Sequence, residues 1–463
     1  MKSRLLSVSL VALAGAGCAT NPPTPPAISA ESAAASFTAR SLDDPALRHF
    51  LAENIGRDPG ETWDFEALSW VAFYYQPSLE VARAQWATTR ATRQTVAARP
   101  NPTVSITPGY NSNHDVGVSP WFPTINFDFL IQGDKRARQQ DIAQADMEVA
   151  RLGVLAAAWQ VRSDVRRALI ETQTAAARAE SLRAQASAQQ QLEGLFQQRL
   201  TLGRAAAFEV SAARIAAHKA LAAAADAAAQ SAAARARLAA ALGVPASSLD
   251  GKKLSAPAIV ALTPEAIATA RRESLHSRAD VLTALAKIQS VRAAIELEVA
   301  KQKPDLHVGP GYQWDQGLDK WSVAFTFELP IFHRNEGPIA EALSRHAEAV
   351  AQFTATQAAT LAAIDAAVIA KNAADAQTTH AHQLRAEVTA QAARVEERLA
   401  QGAADQVERM TSALDLAAAE VAEQEASTAV WLAAGQLEDA LQLPFPHLAA
   451  LADASQPTPT RTP

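Results

Sequence analysis

Two stretches of this chain, Lys135 to Leu200 and Glu336 to Leu399, contain no proline beyond their first turn. Each is roughly 65 residues long, which as one continuous α-helix is about 100 Å. A globular core has no use for such rods, because ordinary helices run only three or four turns. In the second stretch, Ile339, Leu343, Val350, Phe353, Leu361, Ile364, Val368, Leu384, Val388, Val395 and Leu399 recur at mixed three-, four- and seven-residue steps. That is a coiled-coil-like seam. The first stretch has a looser seam of Ile142, Val149, Leu152, Trp159, Val165 and Leu169. Neither helix could persist alone in water at this length, so each needs neighbours along most of its course.

The 463 residues carry a formal net charge of −6 and are 49% hydrophobic, enough for a large core. The mild acidity gives no electrostatic case for a nucleic-acid partner. Met1 to Gly17 has Lys2 and Arg4 followed by an apolar run from Leu5 to Ala16, which reads as a signal peptide too short to span a membrane. No other stretch is expected to reach the length of a transmembrane helix. The only cysteine, Cys18, stands where that signal would be cut, which excludes disulfides within the chain. Leu13-Ala14-Gly15-Ala16-Gly17-Cys18 resembles the lipobox of bacterial lipoproteins, with Gly15 where leucine is usual. The resemblance implies lipidation of Cys18; the alternative is ordinary secretion with a free thiol. Residues 18–40, with Pro22, Pro23, Pro25 and Pro26, read as a flexible tether, and residues 446–463 as a disordered tail.

A helical segment precedes each long stretch. Asp64 to Arg99, with Thr62 as its cap, is interrupted at Pro77, and Pro264 to Lys303 opens on Thr263. Both stop at a basic residue followed by proline, Arg99-Pro100 and Lys303-Pro304. Alternating segments follow. Leu306, Val308, Pro310, Tyr312 and Trp314 share one face, and Trp321, Val323, Phe325, Phe327 and Leu329 another, joined by a polar connection from Asp315 to Lys320. The earlier pair, Thr103 to Tyr110 and Val118 to Leu130, places Ile125, Phe127 and Phe129 opposite Thr124, Asn126 and Asp128. These are β-hairpins with one apolar and one polar face. Each strand has about the length that crosses a bilayer at a tilt. A soluble sandwich would need a partner sheet, and nothing in the chain supplies one. A membrane barrel is therefore expected, with Asp128 and Glu328 on its lumen side.

The two halves are an internal repeat with an offset near 200. Arg199-Leu200-Thr201-Leu202-Gly203 answers Arg398-Leu399-Ala400-Gln401-Gly402, and Leu242-Gly243-Val244-Pro245 answers Leu441-Gln442-Leu443-Pro444. Each half (41–250 and 251–445) reads as helix, β-hairpin, very long helix, glycine turn and returning helix. The returning helices are Ala205 to Leu242 and Ala404 to Leu441. Alanine in the first of them favours helix and close packing. A sheet in lipid must close, four strands cannot, and two chains would give about the smallest known barrel with a plugged interior. Three chains leave a lumen. The expected fold is thus mainly α with a membrane β-barrel: a trimer with a twelve-stranded barrel and a coiled-coil helical tunnel.

This pattern resembles the TolC-type outer-membrane factors over about residues 40 to 445. Gln76-Pro77-Ser78-Leu79, Arg278-Ala279-Asp280-Val281 and the junction Leu329-Pro330-Ile331-Phe332-His333-Arg334-Asn335-Glu336-Gly337-Pro338-Ile339-Ala340 carry the likeness, the last to the lipoprotein and metal-efflux (CzcC/CusC-like) branch. The resemblance implies an outer-membrane efflux duct that works as a homotrimer in outer-membrane lipid. Its implied partners are a periplasmic adaptor and an inner-membrane pump of the RND or ABC type. The alternatives are a type I protein-secretion duct of the same fold and a soluble periplasmic scaffold. No catalytic constellation, cofactor or metal set is expected, since His380 and His382 fall on different helix faces. Glu209 and Glu408 each lie six residues beyond a turn glycine and are expected to ring the periplasmic aperture. Gln406-Val407-Glu408-Arg409-Met410-Thr411 departs there from the family's acidic-Val-Leu-Asp-like run. The resemblance further assigns adaptor contact to Leu202, Gly203, Leu399 and Gly402.

Overall fold

The computed structural model describes residues 27–112, 117–257 and 263–442. The expected signal peptide at 1–17, Cys18 and the expected tail at 446–463 lie outside the described residues. The chain divides into two units, Met1–Ser41 and Leu42–Pro463. In the first, part of the expected tether is a helix, α1 (Ala30–Thr38). Ser29 Oγ accepts from the Ser32 amide at 3.0 Å, and alanine favours the helix that this cap starts.

Both repeats lie in the second unit. It begins with α2 (Pro45–Ile55), β1 (Thr62–Trp63), α3 (Phe65–Tyr75) and α4 (Pro77–Ala97). Asp64, rather than Thr62, caps α3, because its carboxylate accepts from the Ala67 amide at 2.9 Å while Thr62 is held in β1. β2 (Thr103–Thr107) and β3 (Thr124–Ile131) lead into α5 (Lys135–Thr201), which turns into α6 (Ala207–Leu242). A short 3₁₀ turn and β4 (Lys253–Leu254), paired in parallel with β1, close the first repeat. The second runs through α7 (Pro264–Ser277), α8 (Ala279–Ala300), β5 (Leu306–Asp315), β6 (Leu318–Phe327), α9 (Glu336–Ala400) and α10 (Gln406–Leu441). The two long helices have 67 and 65 residues, and both returning helices have 36.

Pro264 to Lys303 is not one helix, since Arg278 adopts extended backbone and separates α7 from α8. No proline forces the break, but the matching break in the first repeat explains it. Gln76, extended ahead of Pro77, donates its amide to the Ala241 carbonyl at 2.9 Å, at the end of the returning helix. Arg278 likewise donates to the Ala440 carbonyl and is oriented by Asp280 at 2.7 Å. In both halves, the kink satisfies carbonyls that a helix end leaves without intrahelical partners.

The helices form a wall. α5 lies inside it, packed against α4 and α6 on one side and α8 and α10 on the other, while α9 borders α8 and α10. In α5 the expected Leu152, Trp159, Val165 and Leu169 are buried, but of the large residues expected in the α9 seam only Ile364 and Val395 are. That seam consists mostly of Ala342, Ala349, Ala367, Ala374 and Ala381, and α10 contributes Ala419, Ala426 and Ala433 at steps of seven. Thr378 Oγ1 reaches across to the Ala426 carbonyl at 3.2 Å, and Thr172 does the same to Ala234. Methyl-sized side chains allow this approach. Leu343, Val350 and Leu384, expected in the seam, are exposed on α9 along with Ile369. One 18-residue window of α9 has a mean hydropathy of 1.4, the length and composition of a span that the sequence was not expected to contain. Only 17% of that window is buried.

The main core sits at mid-length of the wall, where Leu47, Leu51, Trp63, Leu68, Trp70, Phe73, Leu79, Val165, Leu169, Leu238 and Leu242 are almost fully buried. Beside it, Arg162 and Arg166 of α5 are buried against Glu438 of α10 at 2.7 and 2.6 Å, and both guanidiniums lie over the Phe65 ring. Arg166 also approaches Asp439 at 3.6 Å, and the Asp439 carboxylate accepts from Ser163. Burial pushes the Asp439 carboxyl up despite these partners. Gly435 makes room for the cluster, since a Cβ there would lie 3.0 Å from Arg166 Cδ. Removing one member of a buried charge cluster leaves the others uncompensated. Arg166→Ala should therefore destabilise the helical wall by about 3 kcal/mol, read as a lowered thermal transition in detergent.

Candidate functional site

The sheet is one end of the molecule's chemistry. Its four strands run in the order β2-β3-β5-β6, all antiparallel, with β3 and β5 joining the two hairpins. β2 ends at Thr107 and β3 begins at Thr124, both shorter than expected. Pro108, Pro120 and Pro123 have no N–H to donate, and only the bridge Tyr110–Trp121 continues the ladder. β5 and β6 are longer than expected, because the turn between them is only Gln316-Gly317, with φ of 51° and 81°. Two positive φ values are what a tight hairpin requires.

Register divides the side chains between two faces. Val104 pairs with Phe127, Ile106 with Ile125, Phe129 with Val308, Phe325 with Val308 and Phe327 with Leu306. Val104, Ile106, Phe127, Phe129, Ile131, Trp321, Val323, Phe325 and Phe327 are all exposed on this face. Tyr110 stacks edge-on against Trp121 at 5.0 Å, and Tyr312 packs on Trp321 at 4.9 Å, towards the turn end. The opposite face carries Ser105, Asn126, Asp128, His307, Gln313, Lys320, Ser322 and Thr326. Asp128 meets His307 Nδ1 there at 2.9 Å. Glu328 lies one residue beyond β6, ahead of Pro330. Among the described residues, no strand pairs with the outer edge of β2 or of β6.

The far end of the wall is formed by the two glycine turns. Gly203 and Gly402 have φ of 69° and 71°, and the Arg204 and Ala403 amides bond back to the Arg199 and Arg398 carbonyls at 2.7 and 2.8 Å. The left-handed residue closing each long helix is thus a glycine, as its backbone requires. Leu202 and Phe208 are strongly exposed beside the first turn, Leu399 is half-buried, and Gly402 is exposed.

The two expected aperture glutamates have different surroundings. Glu209 reaches back to accept the Ala206 amide at 2.6 Å, capping α6. In the second turn, Asp405 takes over the capping by accepting from the Val407 and Glu408 amides at 2.8 and 3.0 Å. Glu408 is left to pair with Arg398 at 2.6 Å. Arg199, the repeat counterpart of Arg398, binds Asp405 at 2.6 Å and so ties the first hairpin to the second. Asp405, Arg199 and Arg398 were not singled out in the sequence. The signal was available, since Asp405 and Glu408 have capping-box spacing. Among the described residues, no group of three or more His, Cys, Asp or Glu is gathered for a metal.

Solved structures share this architecture. They include the outer membrane protein VceC of Vibrio cholerae, with a TM-score of 0.67 and 21% identity over 81% of this chain and 95% of that one. The outer-membrane channel OprN matches with a TM-score of 0.70 and 17% identity over 92% and 98%. CusC, described in terms of transmembrane channel formation, matches with 0.63 and 17% over 81% and 91%. No family model and no curated protein matches the sequence. The chain has the fold of the outer-membrane channels, in agreement with the resemblance read from its repeat.

The Glu408 amide, together with Arg199, holds the Asp405 carboxyl below its usual range. A carboxylate lowered in the folded state contributes stability above its unfolded pKa of about 3.9, and the contribution is lost as pH falls through the folded value. The α10 cap should therefore hold at pH 5 and fray only well into acid. Asp405→Ala should weaken it at neutral pH by about 1 kcal/mol, seen as several-fold faster hydrogen exchange at the Val407 and Glu408 amides.

Proposed function

We propose that the chain is one subunit of a homotrimeric outer-membrane channel-tunnel that passively conducts the substrates of a tripartite efflux system, drugs or metal ions, to the exterior. What supports this reading above all is the sheet. Its exposed face is apolar and bordered by aromatic residues, its other face is polar, and both edges are unpaired among the described residues. Three copies would close the edges into twelve strands, and the exposed stripe of α9 would meet α4 and α6 of the next copy. A lipid on Cys18 would add an anchor to the barrel. Substrates would enter from a periplasmic adaptor, seated on Leu202, Gly203, Leu399 and Gly402, and from an inner-membrane RND or ABC transporter. Asp128 would line the lumen. Arg199–Asp405 and Arg398–Glu408 would hold the periplasmic tip narrow, with Glu209 kept to its capping role.

The test is assembly and conduction. Purified in detergent, the protein should have a trimeric mass, and a folded monomer with intact β-structure would sink the proposal. Phe325→Arg, on the apolar face, should cost about 2–4 kcal/mol if it lies near the bilayer midplane, whereas Ser322→Asp on the polar face should leave insertion intact. Folding yield into vesicles reads both. In single-channel recordings, Glu408→Ala should lower cation preference, because it leaves the Arg398 guanidinium uncompensated at the narrow tip, where a ring of positive charge repels cations.

A further inference from the structure

The chain passes between wall and sheet four times, and each passage carries a basic residue that makes no ion pair among the described residues. Arg99 follows α4, Arg136 opens α5, Lys303 follows α8, and Arg334 precedes α9. Arg99, Lys303 and Arg334 are exposed and Arg136 is half-exposed. The passages lie side by side. Lys135 Nζ bonds Asp305 at 2.8 Å, joining the second to the third, and Gln302 Nε2 bonds the Arg334 carbonyl at 3.0 Å, joining the third to the fourth. Neighbouring charges are already engaged. Asp305 is taken by Lys135, Lys301 by Glu298 at 2.7 Å, and the Glu336 carboxylate accepts the Arg334 amide at 2.8 Å. Asp134, Glu328 and Glu336 are the acids left without an ion pair at this level among the described residues, against four cations.

The opposite end of the sheet is different. Its charges among the described residues are Asp315, Asp319 and Lys320, with Lys320 bound to Asp315 at 2.7 Å and Asp319 to the Tyr312 hydroxyl at 2.6 Å. Only the wall end presents uncommitted cations. There exposed apolar side chains also follow the strand, Leu329, Ile331 and Phe332, which are 64, 76 and 96% exposed. An apolar knuckle followed directly by His333 and Arg334 places hydrocarbon-seeking and phosphate-seeking groups in the order that a bilayer boundary presents them.

We infer that this junction is a binding surface for anionic phospholipid of the periplasmic leaflet, with Arg99, Arg136, Lys303 and Arg334 on headgroup phosphates and Leu329, Ile331 and Phe332 among the adjoining acyl chains. The inference rests on the sheet spanning the outer membrane. A cation beside an anionic membrane surface strengthens attachment, while a zwitterionic headgroup carries no net charge to attract it. The junction should therefore distinguish phosphatidylglycerol from phosphatidylcholine.

The test uses the full-length protein in mixed micelles, titrated with phosphatidylglycerol or with phosphatidylcholine of the same acyl chains, and bound lipid counted by native mass spectrometry. Phosphatidylglycerol should bind more tightly, by roughly fivefold for each engaged cation. The preference should fall stepwise in Arg99→Gln, Arg136→Gln, Lys303→Gln and Arg334→Gln, and persist in the charge-keeping Lys303→Arg. Equal binding of the two lipids by a protein that inserts into vesicles would overturn the inference alone. So would a preference that survives all four substitutions, or substitutions that change only the oligomeric state, which would make the junction a contact between copies. A wild-type protein that inserts into neither kind of vesicle would overturn the channel reading and this inference with it. The wild-type comparison of the two lipids decides the matter even if a variant fails to fold.

Discussion

The rest of the molecule depends on the unpaired edges of a four-stranded sheet. Backbone N–H and C=O groups along β2 and β6 need partners, and in hydrocarbon there is no water to supply them. Among the described residues no further strand is available to close it, and β2 and β6 remain its edges. The same lack of partners recurs in the wall. α5 is flanked on both sides, while α9 keeps Leu343, Val350, Ile369 and Leu384 exposed. Edge strands and edge helices are therefore unsatisfied together, and one kind of neighbour, another copy in the same orientation, would serve both.

Much of this was legible in the sequence because length and alternation are strong signals. The absence of proline from 135 to 200, and beyond Pro338 from 339 to 399, located α5 and α9 to within a residue or two. Alternation of Phe325 and Phe327 with Thr326 identified the faces of β6. Large residues mark the seam of α5, at Leu152, Trp159, Val165 and Leu169, but in α9 they mark it only at Ile364 and Val395. Alanine buries less area than leucine but brings backbones closer, so Ala374 and Ala381 face a neighbour while Leu384 does not. The break at Arg278 was missed because a charged residue, with no proline beside it, gives no local breaker signal. Its cause lies 162 residues away, in the carbonyl of Ala440.

The tip shows how far a duplication can diverge while keeping its geometry. Arg199 and Arg398 occupy the same position before their glycines, yet both end on acids of the second turn. The first turn caps its helix with Glu209, the second with Asp405. Each turn uses one half of a capping box, and only the second releases a glutamate for an ion pair. Spacing from the glycine placed Glu209 and Glu408 at equivalent positions but could not distinguish their bonds, which depend on Ala206 in one turn and Asp405 in the other.

The alanine seams also set a dimension. Helix axes pack 8–10 Å apart according to the side chains between them, and alanine belongs at the lower end of that range. Two such seams, α5 with α6 and α9 with α10, occur in every copy. In a ring of three copies, they would shorten the circumference by roughly 12 Å relative to leucine seams, and the diameter by about 4 Å. That difference is comparable to the width of a hydrated ion's inner shell. The calibre of the duct would thus be set by the bulk of a methyl group repeated along its wall, and a run of Ala→Leu changes would widen it without altering a single residue that faces the passage.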